Sequence, residues 1–150
     1  MEQDTPPNQL CRARDLALAH GLARVGLGID IAMHGLVRIG NIPSFADETV
    51  KSFTHTFLPG PVVQATAYLI PPGELLIGIL LLAGLFLRPA LIAGLLLMFQ
   101  LLFGTSLLQQ WAVVGLQLFY VAYYAALLAT AGWDYYSVDG WRRMAQKKQS

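Results

Sequence analysis

The apolar positions of this chain fall into long runs, and the longest covers residues 69–104 with one break at Arg88-Pro89. A helix that spans a bilayer needs about 20 apolar residues, so this run is long enough for parts of two such helices. Proline is disfavoured inside a helix and tolerated in its first turn. The pattern therefore predicts two membrane helices joined by a tight turn at residues 87–89.

The remaining apolar runs predict two more membrane helices, which makes the chain an all-α integral membrane protein with a four-helix bundle. Pro71-Pro72-Gly73 is expected to interrupt the second helix, and Gln109-Gln110 to form the turn before the fourth. The predicted membrane helices are residues 16–39, 62–87, 89–108 and 111–131.

An amphipathic segment at residues 44–57 separates the first two membrane helices and is too polar to span a bilayer. Ser44 is a suitable N-cap, and Phe45, Phe53 and Phe57 share one side of the implied helix. This pattern predicts a helix that lies in the membrane interface.

The composition agrees with a membrane protein, because 55% of the residues are hydrophobic and only 13% are charged. The net charge of +1 gives no basic footprint for nucleic acid. A single cysteine, Cys11, excludes an internal disulfide and a cysteine zinc site. We divide the chain into a flexible cytoplasmic tail (1–15), a transmembrane domain (16–131) and an interfacial or cytoplasmic tail (132–150). The first tail lacks the features of a cleaved signal, so the first helix is expected to be retained.

The basic residues predict the orientation of the bundle in the bilayer. With both termini in the cytoplasm, only Arg38 and Lys51 fall on the outer connections. The positive-inside rule therefore favours a multi-pass protein of the inner membrane with both ends cytoplasmic. The basic residues of the inner segments are Arg12, Arg14, Arg88, Arg142, Arg143, Lys147 and Lys148.

Ionisable residues inside the predicted spans are the candidate functional groups. Those of the first helix fall on one arc of roughly 120°, and the second helix carries a carboxylate between apolar neighbours. Lipid cannot solvate such groups, so they are expected to face protein or water. The first-helix set is His20, Arg24, Asp30, His34 and Arg38, and the carboxylate is Glu74.

The depth of these groups predicts a polar cavity in the outer half of the bundle, beneath residues 45–57. We expect His34 and Glu74 to lie on facing sides of the first two helices. The alternative is a structural network that holds the helices in register. Arg24 and Arg38 also have the alternative of extending their side chains to the nearer membrane surfaces.

Residues 22–40, LARVGLGIDIAMHGLVRIG, and residues 72–94, PGELLIGILLLAGLFLRPALIAG, resemble the DoxX family. The first segment is similar to the family's R-x-x-L-G and H-G-x-x-K/R opening, and the second to its Glu and G-L-F-x-R pattern. The resemblance covers roughly residues 16–140. Asp30 departs from it, because an apolar residue is expected there.

The resemblance implies a four-helix membrane protein tied to redox metabolism, since the related DoxD subunit belongs to a thiosulfate:quinone oxidoreductase. Other relatives assist the maturation of redox enzymes, and many have no known activity. The residues that carry over by motif position are Arg24, His34, Gly35, Arg38, Glu74 and Arg88.

The favoured function is a membrane subunit of a quinone-linked oxidoreductase, with quinone as the cofactor. His34 would bind a quinone carbonyl and pass protons, while Glu74 or Asp30 would orient it and relay them. Arg38 would stabilise a quinol anion or attract an anion such as thiosulfate. The further predicted contacts to quinone are Tyr68, Gln100, Gln117 and Tyr120, and the predicted structural residues are Arg24, Arg88 and Gly35.

Two other functions remain open at this stage. The chain could be a non-catalytic subunit that stabilises a larger membrane complex through the small-residue face at 122–129, or a protein that handles lipids or small solutes. The sequence contains no flavin, haem or metal motif, so a catalytic subunit would need a redox partner to supply electrons.

Overall fold

The computed structural model describes the backbone of residues 7–147 and the side chains of residues 11–142, 145 and 146. Four of its helices are long and apolar enough to cross a membrane, which confirms the predicted all-α four-helix membrane fold. The helices are α1 (Pro7–Ile39), α2 (Ile42–Ser52), α3 (Gly60–Ala83), α4 (Leu87–Leu107), α5 (Trp111–Ala129) and α6 (Val138–Lys147), with a short 3-10 helix at Ala131–Trp133.

Helix α1 is longer than predicted and begins at Pro7, so residues 7–15 of the expected flexible tail are helical. Proline suits the first helical position, where its missing N–H has no intrahelical partner to lose. Residues 1–6 lie outside the described part of the chain, as do residues 148–150 at the other end.

The turn between α3 and α4 lies at residues 84–86 rather than at 87–89. Gly84 takes the left-handed conformation (φ 61°), and the Leu85 N–H donates to the Leu80 carbonyl at 3.1 Å. This is the Schellman pattern that ends many helices. Pro89 then sits inside the first turn of α4, where proline is tolerated.

The predicted interruption of the second membrane helix is also wrong, because α3 continues through Pro71 and Pro72. Membrane helices tolerate proline where a neighbouring helix packs closely. Here α1 supplies that neighbour: a Cβ on Gly35 would meet the Pro71 carbonyl oxygen at 2.6 Å. Gly35 therefore lies at a close approach of α1 to α3.

Helix α2 is shorter than the predicted amphipathic helix. Asn41 caps it by accepting from the Ser44 N–H at 3.4 Å, so Ser44 is not the cap. The helix ends before Phe53, which leaves Phe57 exposed beyond it. Ala46 is fully buried where α2 packs against the N-terminal part of α3. The orientation of α2 in a membrane interface stays a prediction.

The most extensive helix contact is between the antiparallel helices α1 and α3. Gly28 and Gly35 on α1 and Gly78 on α3 let the two backbones approach closely. This contact fixes the level of every polar residue on α1. We call the end of the bundle that carries α2 and the α4–α5 turn the α2 face, and the opposite end, which carries α6, the terminal face.

Candidate functional site

A cavity of about 760 Å³ lies at the α2 face, within the predicted outer half of the bundle. Its walls come from α2, α3, α4 and α5, and α1 contributes Arg38. Most of the lining is apolar. The polar side chains that line it are Arg38, Glu48, Thr49, Ser52, Thr66, Gln100, Thr105, Gln110 and Gln117.

The strongest polar contact at this cavity joins Arg38 to Glu74. The Nη1 atom of Arg38 donates to both carboxylate oxygens of Glu74, at 2.6 and 2.5 Å. Glu74 is only 2% exposed, and the Arg38 guanidinium also lies 5.2 Å from the ring centroid of Phe45 on α2. The pair therefore links α1, α2 and α3, and it satisfies a carboxylate that would be costly alone in the membrane.

The direct partner of Glu74 is thus Arg38 and not His34, the predicted partner. His34 and Glu74 are nevertheless near enough to interact electrostatically. The Nδ1 of His34 bonds to the Asp30 carbonyl oxygen at 2.9 Å and lies 3.7 Å from the Asp30 carboxylate. Tyr120 on α5 donates to that carboxylate at 2.7 Å. The side chains of His34 and Asp30 are 43% and 42% exposed, so this part of the site is open.

We call Asp30, His34, Arg38, Glu74 and Tyr120 the cavity cluster. Two further predicted contacts, Gln100 and Gln117, line the cavity itself, and Gln117 accepts from Thr105 at 2.6 Å. Asp30, His34, Glu74 and Tyr120 lie outside the lining, and Glu74 is connected to it through Arg38. Tyr68 is exposed and also lies outside the lining. Of the predicted site residues, Arg38, Gln100 and Gln117 therefore line the cavity wall itself.

Tyr124 is a buried neighbour of this site. Its side chain is fully buried against Gly94 of α4, where a Cβ would collide with the ring. It is also close enough to Glu74 and Tyr120 to interact with both electrostatically. This packing depends on a small residue, Gly94, opposite a large one, Tyr124. Neither residue by itself indicates its partner in the sequence.

A second polar cluster lies at the terminal face and includes the buried side chain of Arg24. Arg24 donates to the carbonyl oxygens of Leu81, Leu82 (3.0 Å) and Tyr136 (2.8 Å). Its Nε lies 3.6 Å from the Asp134 carboxylate. Arg24 therefore connects α1 to the end of α3 and to the segment before α6.

The other members of this terminal cluster are His20, Thr130 and Ser137. His20 is hydrogen-bonded to Thr130 at 2.9 Å and lies 4.0 Å from Asp134, while Ser137 donates to Asp134 at 2.5 Å. Sequence reasoning missed Asp134 and Ser137. Both follow the last membrane helix in an aromatic segment that indicates an interface more strongly than a buried network.

The last predicted structural residue, Arg88, is exposed in the first turn of α4. Among the side chains that the structure describes, no three His, Cys, Asp or Glu residues are grouped closely enough to hold a metal ion. The cavity cluster can therefore do two things with its own residues: donate hydrogen bonds to a polar ring, and hold or move protons through carboxylate, imidazole and phenol groups.

Comparison with known proteins gives one match. The DoxX family model matches residues 19–111, and no curated protein or solved structure matches the chain. The matched segment covers more than half of the chain and contains the motif residues of α1, the carboxylate Glu74 and most of the cavity lining. On this evidence the chain belongs to the DoxX family of membrane proteins.

Proposed function

We propose that this DoxX protein is a membrane subunit of a quinone-linked oxidoreductase and that a quinone occupies the cavity at the α2 face. One observation carries the proposal. An apolar cavity ends at the Arg38–Glu74 pair, and the polar row continues from there to the half-exposed Asp30 and His34. Ionisable groups at this depth are costly and are functional candidates by default.

The size and lining of the cavity suit an amphiphile with a polar ring. Ligand sites are typically about 300–1,000 Å³, mostly apolar, with a few convergent polar groups. Gln100, Gln117 and Arg38 supply such groups in an otherwise apolar lining. They can donate to quinone carbonyls, while the apolar walls accommodate an isoprenoid tail.

Reduction of a quinone consumes protons as well as electrons, and the cavity cluster can supply the protons. With Nδ1 of His34 donating to the Asp30 carbonyl, its Nε2 is left to exchange a proton. Asp30 and Tyr120 hold this part of the cluster together, and Glu74 positions Arg38. The electrons would come from a redox partner in the membrane complex.

The charges around the cavity favour a neutral ligand over an anion such as thiosulfate. Glu74 compensates the guanidinium of Arg38, and Glu48 adds a second carboxylate to the lining. Arg38 is therefore better suited to donate a hydrogen bond to a ring oxygen than to attract an anionic substrate. We propose that the anion, where the complex uses one, is bound by a partner.

The proposal is tested by titrating a quinone analogue into detergent-purified protein and into His34→Gln and Glu74→Gln variants. Each variant should lose about tenfold or more in affinity, since a hydrogen bond with a charged group contributes about 1.5–3 kcal/mol. Tyr68→Phe is the matched control, because Tyr68 is exposed, lies outside the lining and has no hydrogen bond to the cavity cluster, and it should bind like the wild type. Melting temperature measured on the same samples separates lost binding from lost folding.

Wild-type affinity in folded forms of both variants would contradict the quinone site and favour the second candidate, a non-catalytic subunit of a membrane complex. One observation favours that candidate: only 11% of the most apolar part of α5 is buried, so α5 presents a wide surface to lipid or to a partner. We also propose the inner-membrane orientation with both termini cytoplasmic, which the basic residues of the terminal face support.

A further inference from the structure

Helix α6 is fixed to the end of the bundle by two hydrogen bonds of Asp139, one from its backbone and one from its side chain. The Asp139 N–H donates to the Gly84 carbonyl at 3.1 Å, and its carboxylate accepts from the Leu87 N–H at 3.0 Å. Gly140 is buried against the backbone of Tyr135. The helix is therefore held at the α3–α4 turn in a defined position.

Exposed apolar and aromatic side chains lie on α6 and in the segment before it. Trp141 is 69% exposed, and Val138 is exposed beside it. Tyr135 and Tyr136, in the segment just before the helix, are exposed as well. Exposed aromatic side chains at the end of a membrane bundle are typical of residues that sit among lipid headgroups and upper acyl chains.

Two exposed arginines flank the contact that holds α6. Arg88 directly follows Leu87, and Arg142 comes three residues after Asp139, so both lie within one helical turn of the Leu87–Asp139 hydrogen bond. With the Asp139 carboxylate included, this group carries a net positive charge. The sequence adds Arg143 and Lys147 to the same helix. This charge is complementary to a phosphate.

We propose that α6 and the start of α4 form a docking surface for anionic phospholipid. Arg88 and Arg142 bind the headgroup phosphate, and Trp141 inserts at the boundary between headgroups and acyl chains. Arginine pairs bind phosphate oxygens well because the guanidinium presents several donors in a fixed plane. The surface lies at the opposite end of the bundle from the cavity, so the inference does not depend on the proposed quinone site.

The test measures binding of short-chain phosphatidylglycerol and phosphatidylcholine to detergent-purified protein, by the rise in melting temperature with lipid concentration. Wild type should be stabilised by the anionic lipid and not by the zwitterionic one. The double variant Arg88→Gln/Arg142→Gln should bind phosphatidylglycerol roughly 25-fold more weakly, taking about 1 kcal/mol for each arginine at the membrane surface. Both replaced side chains are exposed, so the variant should fold.

The matched control is Arg12→Gln/Arg14→Gln, which removes the same charge from exposed positions on α1. Equal losses in the two double variants would show a diffuse basic field only and would overturn the docking site. Trp141→Ala should weaken phosphatidylglycerol binding while glycerol phosphate has no effect on the wild type. Stabilisation by glycerol phosphate equal to that by the lipid would show a site for small phosphates and would also overturn the proposal.

Discussion

Helix α1 carries two polar clusters of similar composition, and the protein treats them in opposite ways. The terminal cluster, built on His20, Arg24 and Asp134, is sealed, with Arg24 only 3% exposed and surrounded by carbonyl acceptors. The cavity cluster uses another His, Arg and Asp, yet His34 and Asp30 remain half exposed and Arg38 lines a large cavity. Residue type alone does not distinguish the two clusters.

The difference between the clusters is one of access to their hydrogen-bonding groups. In the terminal cluster Nη1 and Nη2 of Arg24 donate to fixed backbone carbonyls, and the side chain is buried, so a ligand cannot reach it. In the cavity cluster a single nitrogen of Arg38 serves both oxygens of Glu74, which leaves other donors of the guanidinium available. A sealed network stabilises the register between helices, whereas an open network can bind a ligand.

The largest effect that separates the clusters is expected from replacing each arginine by lysine. Arg24→Lys retains the charge but cannot reach the carbonyls of Leu81, Leu82 and Tyr136 together. Losing two charged hydrogen bonds should cost about 3 kcal/mol or more of unfolding free energy. Arg38→Lys can still pair with Glu74 through one nitrogen, so it should cost less than about 1 kcal/mol.

Melting temperature and the monodisperse fraction in mild detergent report this difference. Equal destabilisation by the two lysine variants would contradict the distinction between a sealed and an open cluster. Greater loss from Arg38→Lys would reverse it, and would make the cavity pair the main structural contact of α1.

A smaller effect is expected at the α1–α3 contact on which both clusters depend. In Gly35→Ala the new methyl group would overlap the backbone of Pro71 and Leu75, and overpacking of this kind costs about 1–3 kcal/mol. Because the helices must separate, Arg38 should also lose its short contact with Glu74. Gly73→Ala is the control, since a Cβ there meets no neighbouring helix within 4 Å, and it should melt at or slightly above the wild-type temperature because alanine favours a helix interior.

The general fold and most of the cavity cluster were predictable because hydrophobic runs and the 3.6-residue period act locally. Four spans and the shared arc of Asp30, His34 and Arg38 follow from these patterns alone. The partners were less predictable, because they depend on the register between helices. Arg38 reaches Glu74 only because glycines bring α1 and α3 together, and the pairing with His34 was expected from depth without that register.

Two predictions about α3 were also wrong. The prediction placed the α3–α4 turn at Pro89, the strongest helix-breaking residue, but a left-handed Gly84 ended the helix earlier. Pro71 and Pro72 were expected to interrupt α3, although a close neighbouring helix lets the backbone continue. The partners of Arg24 could not be predicted, because Leu81 and Asp134 lie more than 50 residues away from it along the chain.

The most direct comparison is the same substitution at the two histidines. His20→Gln removes a buried ring that is hydrogen-bonded to Thr130 and leaves space in the terminal cluster. It should cost about 1–3 kcal/mol, the range for a buried polar group that loses its partner. His34→Gln changes a half-exposed side chain and should stay within about 0.5 kcal/mol of wild type. The two variants should therefore differ in both melting temperature and quinone-analogue affinity. His20→Gln should lower the melting temperature and keep the affinity of the folded fraction. His34→Gln should keep the melting temperature and lose affinity. If both variants lose only stability, the cavity cluster is a structural network like its terminal counterpart.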